Sequence, residues 1–282
     1  GAQAFVTKKE ANGELKSTVE KVFFIESNPT EQMLSTTYFE LDETKTNYNE
    51  FAETTKIYVK RSALNTYKEK WNKMVYNPDT KTSGVSPFNF IKQIDYKIPG
   101  VKITDQYGTF AREFDTDFSI YKQENNNKGV IAAFVAKDGE IRKGNGDYGT
   151  SAYNVPMRSI DEKGGVRDNY GYVPAYTGVL LKVLDNKATP EDFYYAIGEK
   201  DDQTYTINNN IMHGITIKPS SVQASATNPI YVIQGGIFRK VTNTIEVFTI
   251  HKAYAKIPGV PANAPVTFSF SDDDTTTGVM TI

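Results

Sequence analysis

The chain has 282 residues, with 32 Lys and Arg against 34 Asp and Glu. The formal net charge of -2 gives no overall positive field to attract nucleic acid or an anionic membrane, so either partner would need a local basic patch. The absence of cysteine excludes thiol nucleophiles, iron–sulfur clusters and thiolate zinc sites, and two histidines are too few for a three-His zinc site.

The composition favours a sheet-rich protein. There are 18 Tyr and 16 Phe against a single Trp, and aromatic and β-branched residues are enriched in strands. The mean hydropathy is -0.48, and no apolar run approaches the ~20 residues of a membrane-spanning helix. Because the first residue is Gly, we expect either a processed chain, from which a targeting segment has been cut, or a recombinant one.

The first elements in chain order form a small α+β unit. Short apolar runs at residues 22–25 and 56–59 predict two strands. A helix is predicted after Ser62, since apolar residues recur at helical spacing up to Asn77-Pro78. Trp71 lies on its apolar stripe, where a core position is favoured over a ligand site. The apolar residues of this stripe are Leu64, Tyr67, Trp71, Met74 and Val75.

A further strand is predicted at residues 88–96, and Ile98-Pro99-Gly100 predicts a domain junction. Beyond it, short β-like segments alternate with Gly, Asn, Asp and Pro, which predicts an antiparallel β-sandwich or barrel. The predicted domains are 1–97 and 98–282. Tight hairpin turns are predicted at Lys137-Asp138-Gly139 and at Gln234-Gly235-Gly236. The predicted strands are 107–110, 116–121, 129–136, 139–142, 152–160, 171–174, 178–184, 203–207, 214–218, 229–234, 236–241, 245–250, 252–257 and 265–270.

Motifs in the first unit resemble a known family. They are the run from Lys56 to Lys68 (KIYVKRSALNTYK), then Trp71, then Phe90-Ile91-Lys92-Gln93-Ile94. This order resembles the terminal repeat unit of BspA-type leucine-rich-repeat bacterial surface proteins, although Lys60-Arg61 replaces the family's Pro-Gly. The resemblance covers about residues 20–96, and it implies a single capping unit rather than a full solenoid.

The second unit carries a separate resemblance. Its motifs include Tyr107-Gly108-Thr109-Phe110, the run 173–182 (VPAYTGVLLK), Lys252-Ala253-Tyr254 and the acidic tail 272–279. Their order resembles a C-terminal β module of secreted and surface proteins from gut and oral anaerobes. The resemblance covers about residues 100–280, and it implies export and an extracellular or outer-membrane-associated cell-surface setting.

The usual catalytic groups form no convincing pattern. His213 and His251 lie in predicted turn and strand-connecting positions, and neither is near a nucleophile-elbow motif. The acidic pairs Asp115/Asp117 and Glu191/Asp192 are most simply turn formers or a solvated face, although paired carboxylates are what glycosidases need. We therefore predict no catalytic residues.

Metal and cofactor sites are also not predicted. Asp272-Asp273-Asp274 and Asn145-Gly146-Asp147 have oxygen ligands that calcium prefers, but neither follows EF-hand spacing. The glycines between Lys143 and Gly149 lack the Gly-Lys-Ser/Thr of a phosphate-binding loop. We therefore predict no metal-binding residues and no cofactor.

A tyrosine-rich stretch with Gly, Asn, Asp and Arg is the predicted ligand site, because such residues form flat amphipathic platforms for sugars or proteins. The competing interpretation is that the tyrosines cap the ends of the sandwich. The residues are Tyr148, Tyr153, Tyr170, Tyr172 and Tyr176.

These patterns predict an exported, non-catalytic surface protein that binds a host protein or a glycan. A carbohydrate-active enzyme or its accessory carbohydrate-binding module is the alternative, and a structural spacer is a further one. No nucleic-acid partner and no transmembrane segment are expected, and a lipid anchor would belong to the precursor. The oligomeric state does not follow from the sequence.

Overall fold

A computed structural model provides the structure of the chain. It describes residues 8–9, 15–16, 19–28, 56–73, 94–103, 105–125, 130–145, 149–160, 162–163, 166–167, 171–183, 191–199, 207–270 and 279–281. The chain divides into two compact units, Gly1–Ile98 and Pro99–Ile282. The predicted boundary at 97/98 lies beside this division. Ile98-Pro99-Gly100 itself opens a strand instead of forming a linker.

The first unit contains a parallel three-stranded sheet with one helix. A separate antiparallel pair, β1 and β2, precedes the sheet, and strands β3, β4 and β5 pair in parallel. Parallel neighbours need a long crossover connection, and helix α1 lies within the connection from β4 to β5. The elements are β1 Lys8–Lys9, β2 Leu15–Lys16, β3 Lys21–Phe24, β4 Lys56–Val59, α1 Leu64–Lys73 and β5 Ile94–Asp95.

The core of this unit forms where α1 meets β3 and β4. Ile57, Val59 and Tyr67 are fully buried, and the ring of Tyr67 packs 5.9 Å from that of Phe24. The Tyr67 hydroxyl donates to the carbonyl of Glu26 at 3.0 Å, which satisfies its polar end. The predicted helix is therefore present and begins at Leu64. Met74 and Val75 lie outside the described residues, as does the side chain of Trp71.

The largest sheet of the second unit has seven strands in the order β24-β23-β11-β9-β15-β7, with β10 paired to β11. All its described pairings are antiparallel except that of β11 with β23. Its strands are β7 Tyr107–Phe110, β9 Val130–Ala136, β10 Arg142–Asn145, β11 Gly149–Ser159, β15 Val179–Val183, β23 Val266–Phe270 and β24 Val279–Thr281.

Two four-stranded sheets accompany it, in the orders β14-β8-β16-β6 and β17-β22-β19-β20. Two-stranded ribbons are formed by β12 with β13 and by β18 with β21. The remaining elements are β6 Ile98–Ile103, β8 Thr116–Asp117, α2 Ser119–Glu124, β12 Glu162–Lys163, β13 Val166–Arg167, β14 Tyr172–Val173, β16 Glu191–Ile197, β17 Met212–Ile215, β18 Ser220–Val222, β19 Ile230–Gln234, β20 Ile237–Lys240, β21 Ile245–Phe248 and β22 Lys252–Lys256.

The main core lies between the seven-stranded sheet and the sheet of β17, β22, β19 and β20. Phe238 of β20 stacks on Phe268 of β23 with ring centroids 3.8 Å apart. Tyr231 meets the edge of the Phe268 ring, and Phe270 packs between Tyr107 and Phe134. Burying one such side chain contributes about 1.5–3 kcal/mol. The predicted mainly-β fold is confirmed, and its sheets pack face to face as in a sandwich.

Two local predictions are corrected. Residues 116–121 form the short strand β8 followed by helix α2, because the Asp117 carboxylate accepts the Ser119 amide at 2.8 Å and turns the chain. Lys137-Asp138-Gly139 does form a tight turn, with the Glu140 amide donating to the Lys137 carbonyl. It does not form a hairpin, because β10 pairs with β11 rather than with β9.

The second hairpin prediction is confirmed. Gln234 and Ile237 are paired across a two-residue turn. Gly235 and Gly236 have φ values of 59° and 69°, the left-handed conformation that a type I′ turn requires at both central positions. The Gly-Gly pair therefore fixes the register of β19 against β20.

Candidate functional site

The structure places three of the five predicted site tyrosines, and they occupy different environments. Tyr148 and Tyr170 lie outside the described residues. Tyr153 is half-buried on β11, where it packs against the main core, and the Lys143 ammonium lies 6.0 Å from its ring centroid. The described tyrosines therefore differ in burial and in the contacts that they make.

Tyr172 is buried and serves a structural contact. Its hydroxyl donates to Oδ2 of Asp115 at 2.9 Å, and Oδ1 of the same carboxylate accepts the Ala175 amide at 2.8 Å. The Gly198 amide donates to the backbone carbonyl of Asp115 at 2.7 Å. Asp115 thus joins three segments, as a turn-forming carboxylate does. Asp192 is exposed and Asp117 accepts the Ser119 amide, so they likewise occupy solvated or structural positions, and the side chain of Glu191 is not described.

Tyr176 is the accessible member of the described set. It is 63% exposed and has a φ of 58°, a left-handed conformation that is costly for a bulky residue. Its amide donates to the carbonyl of Arg112 at 2.6 Å. An exposed aromatic ring held in an unfavourable backbone conformation points to a role at the surface, because such conformations concentrate at ligand clamps.

The loop carrying Tyr176 is held against strand β17. A Cβ added at Gly178 would lie 2.6 Å from both the Gly214 amide nitrogen and the Met212 carbonyl oxygen, so only glycine permits this close approach. The Asn210 side-chain amide donates to the Gly178 carbonyl at 2.9 Å. The exposed ring therefore projects from a fixed loop.

A charged cluster adjoins this loop. Arg112 is 6% exposed, and buried charges are found almost always in paired settings. Its Nη1 lies 2.7 Å from Nδ1 and 2.9 Å from Nε2 of His251, and its Nη2 lies 3.3 Å from Oε1 of Glu113. The guanidinium also packs 4.9 Å from the Phe114 ring centroid, a favourable cation–π arrangement.

The same cluster changes the pKa of Glu113. Partial burial raises the pKa of Glu113, but hydrogen bonding from His251 and the charge of Arg112 outweigh it, and the net pKa is lowered. Nε2 of His251 lies 3.4 Å from Oε2 of Glu113. Because arginine only donates, Nδ1 of His251, the nearer of its two ring nitrogens, is assigned as the acceptor for Nη1 of Arg112.

His251 also adopts an unusual backbone conformation. Its φ is 66°, and its amide donates to the carbonyl of Ile215 at 2.6 Å. Tyr176 and His251 are thus two positive-φ residues that both contact Arg112, one through the backbone and one through the side chain. His213 is different: it lies within β17 rather than in a turn, and its ring stacks on Tyr254.

The chemistry available here is recognition by hydrogen bonds and ring contact. Glu113 and His251 are each about one-third exposed, at 35% and 32% of their side chains, so they can accept and donate to a ligand. The described residues contain no group of three or more His, Asp or Glu placed to hold a metal ion. Asp147 and the acidic tail 272–274 lie outside the described residues.

Sequence reasoning did not find Arg112 or Glu113. The two residues are adjacent in sequence, but their partner His251 is 139 positions from Arg112. Only the fold brings them together, and Arg112-Glu113 matches no motif. The sequence offered one indication of a buried charge at this position: the charged pair Arg112-Glu113 has apolar residues on both sides, 110–111 and Phe114.

Comparisons of the chain with family models, with curated proteins and with solved structures gave no match. The resemblance to BspA-type surface proteins and to the C-terminal β module therefore stays a prediction based on the motifs quoted above. Neither helix in the described part of the chain is long and apolar enough to cross a membrane.

Proposed function

We propose that the protein is an exported cell-surface protein that binds a glycan without catalysing a reaction, with Tyr176 at its binding site. The observation that carries the proposal is the exposed Tyr176 ring on a fixed loop, beside a charged cluster in which Arg112 is buried and Glu113 and His251 are partly exposed. Sugar rings pack on tyrosine faces, and partly exposed carboxylate and imidazole groups bond to hydroxyls. The surface setting rests on the order of sequence motifs described above.

The Tyr176→Gly variant tests the proposed site. Glycine accepts a positive φ freely, so this change removes the ring while relieving backbone strain, and lost binding cannot be attributed to a strained fold. On a glycan array, we expect the variant to lose about tenfold or more in affinity for glycans that the unchanged protein binds, as expected for an exposed aromatic anchor. Tyr176→Phe should retain most of the affinity because it keeps the ring.

The controls separate this proposal from its alternatives. Ile217→Ala changes another exposed apolar residue, and it should leave glycan binding unchanged. Undiminished binding by Tyr176→Gly would reject the site. If neither the unchanged protein nor any variant binds a glycan, and a host protein is bound instead, the proposed ligand class is rejected. Hydrolysis in a broad glycosidase screen would favour the carbohydrate-active enzyme.

A further inference from the structure

A second surface of the second unit combines positive charge with an aromatic pair. On the sheet β17-β22-β19-β20, inward residues such as Met212, Ala253 and Phe238 are buried in the main core. Side chains alternate across a strand, so the intervening residues point to the opposite side. We call five of them the basic face: His213, Arg239, Lys252, Tyr254 and Lys256.

The register places these residues close to one another. His213 lies directly opposite Tyr254, and their rings stack with centroids 5.3 Å apart. Lys252 and Lys256 flank Tyr254 along β22, with Cα atoms about 13 Å apart at the usual rise of a strand. Arg239 of β20 lies opposite Val232 of the neighbouring strand β19. Val232 and Tyr254 belong to the same apolar cluster.

The charged residues in the strands of this sheet are all positive. Its four strands contain Arg239, Lys240, Lys252 and Lys256 and no Asp or Glu, although the chain as a whole has a net charge of -2. Lys252, Lys256 and Arg239 are exposed. Within the described ranges, none of these three cations forms a salt bridge. Among the residues that the structure describes, the basic face is therefore a local positive patch without an acidic partner.

We propose that the basic face binds an acidic polysaccharide through its carboxylate or sulfate groups. Ammonium and guanidinium groups are the donors that pair with oxyanions, and an extended polyanion can contact cations on both sides of Tyr254. This inference rests on residues separate from Tyr176, so it stands independently of the function proposed above.

Other anionic or neutral partners fit the basic face less well. Single-stranded nucleic acid binds by stacking bases on free aromatic faces, but His213 and Tyr254 stack on each other, and Phe248 meets Tyr254 edge-on at 5.6 Å. An extended acidic peptide adds to an exposed strand edge, whereas Lys252, Tyr254 and Lys256 lie on the inner strand β22, which is paired on both sides, with β17 and β19. A polysaccharide needs only side-chain donors.

The protonation of His213 is consistent with an anionic ligand. Desolvation of the ring and the charge of Lys256 lower the pKa of His213. A bound anion would offset that positive field and favour the protonated ring. Binding should therefore raise the pKa of His213.

The test measures binding of the full chain to heparin, polygalacturonate, dextran, polyglutamate and single-stranded DNA. We expect the unchanged protein to bind heparin or polygalacturonate, not dextran, and to lose affinity as salt rises from about 0.05 to 0.2 M, because salt screens exposed charges. The triple variant Arg239→Gln, Lys252→Gln, Lys256→Gln should lose about tenfold or more in affinity.

A charge-matched control removes three exposed cations elsewhere: Lys102→Gln, Arg142→Gln, Lys143→Gln. It should bind as the unchanged protein does, and the double variant Lys252→Arg, Lys256→Arg should retain binding. Equal losses in both triple variants would overturn the proposal, because they would indicate a net-charge effect. Binding of DNA or polyglutamate that is tighter than binding of either acidic polysaccharide would overturn the ligand class, and no binding of either polysaccharide would overturn the site.

Discussion

The imidazole of His213 stacks on Tyr254, and Lys256 lies two residues further along the same strand. Desolvation is the larger cause of its lowered pKa, and the Lys256 charge is the second. Desolvation disfavours the protonated ring because it removes water from the charge, and Lys256 disfavours it because it adds a like charge nearby. The two contributions can be separated by substitution.

Lys256→Gln should therefore raise the pKa of His213, but only part of the way to the ordinary value of 6.5, because the Tyr254 contact remains. The check is a pH titration of the His213 ring signals by NMR, with His251→Gln used to assign the two histidines. Lys218→Gln, an exposed lysine in the loop after β17, is the control and should not move the pKa. A pKa that stays fixed or falls in Lys256→Gln would contradict the assignment.

The predicted tyrosine site shows where residue-level reasoning from the sequence stops. Tyr172 and Tyr176 are four positions apart in a stretch of uniform composition, yet one is 6% and the other 63% exposed. The difference arises from Asp115, which binds the Tyr172 hydroxyl and the Ala175 amide from about 60 positions away. Such long-range contacts leave no trace in local composition.

At the scale of elements, the positions of many strands can be predicted from the sequence, but which strands pair with each other cannot. Alternation and turn residues predicted β7, β19, β20, β22 and β23 to within a residue or two. The Gly-Gly turn even fixed one pairing. In contrast, the parallel contact of β11 with β23 joins segments more than 100 residues apart, and nothing in either segment encodes the partner.

Helix α2 was missed because Thr116, Phe118 and Ile120 are buried on alternate positions, as in a strand. The side chain of Asp117 decides the outcome: its Oδ1 accepts both the amide of Ser119, at 2.8 Å, and the Ser119 hydroxyl, at 2.5 Å. Such an Asx contact competes with strand pairing and starts a turn. The start of α2 is therefore set by one carboxylate.

Asp117→Ala should destabilise the fold by about 0.5–2 kcal/mol, the usual cost of losing a side-chain acceptor at a helix start. Chemical denaturation monitored by circular dichroism measures the change. Asp117→Asn keeps an acceptor and should recover most of the loss. Asp192→Ala, at an exposed position on β16, controls for charge, and a loss as large as that of Asp117→Ala would show that the hydrogen bond is not responsible.

At the scale of the whole molecule, the Arg112–Glu113–His251 cluster links parts of the second unit that are distant in sequence. It joins the end of β7 to the start of β22, and the Tyr176 loop bonds to the same arginine. The net lowering of the pKa of Glu113 means that the folded state favours its ionised form. The stability of the protein should therefore depend on pH through this group.

The sign follows from proton binding. The pKa of Glu113 in the folded protein lies below the unfolded value of 4.5, so between these two values the unfolded chain binds more protons, and acid favours unfolding. The stabilisation is complete above pH 4.5 and is lost as the pH falls through the folded value. Glu113→Gln cannot ionise and loses this contribution at every pH.

We therefore expect the melting temperature of the unchanged protein to exceed that of Glu113→Gln at pH 7, and the difference to shrink as the pH falls below 4.5. Differential scanning calorimetry from pH 7 to about 3 measures it, in the range where carboxylates titrate. Glu246→Gln removes the same charge from an exposed position on β21 and should show little difference at any pH. A gap between the unchanged protein and Glu113→Gln that stays constant or widens in acid would contradict the role of the ionised carboxylate, because a purely steric effect of the substitution would not titrate.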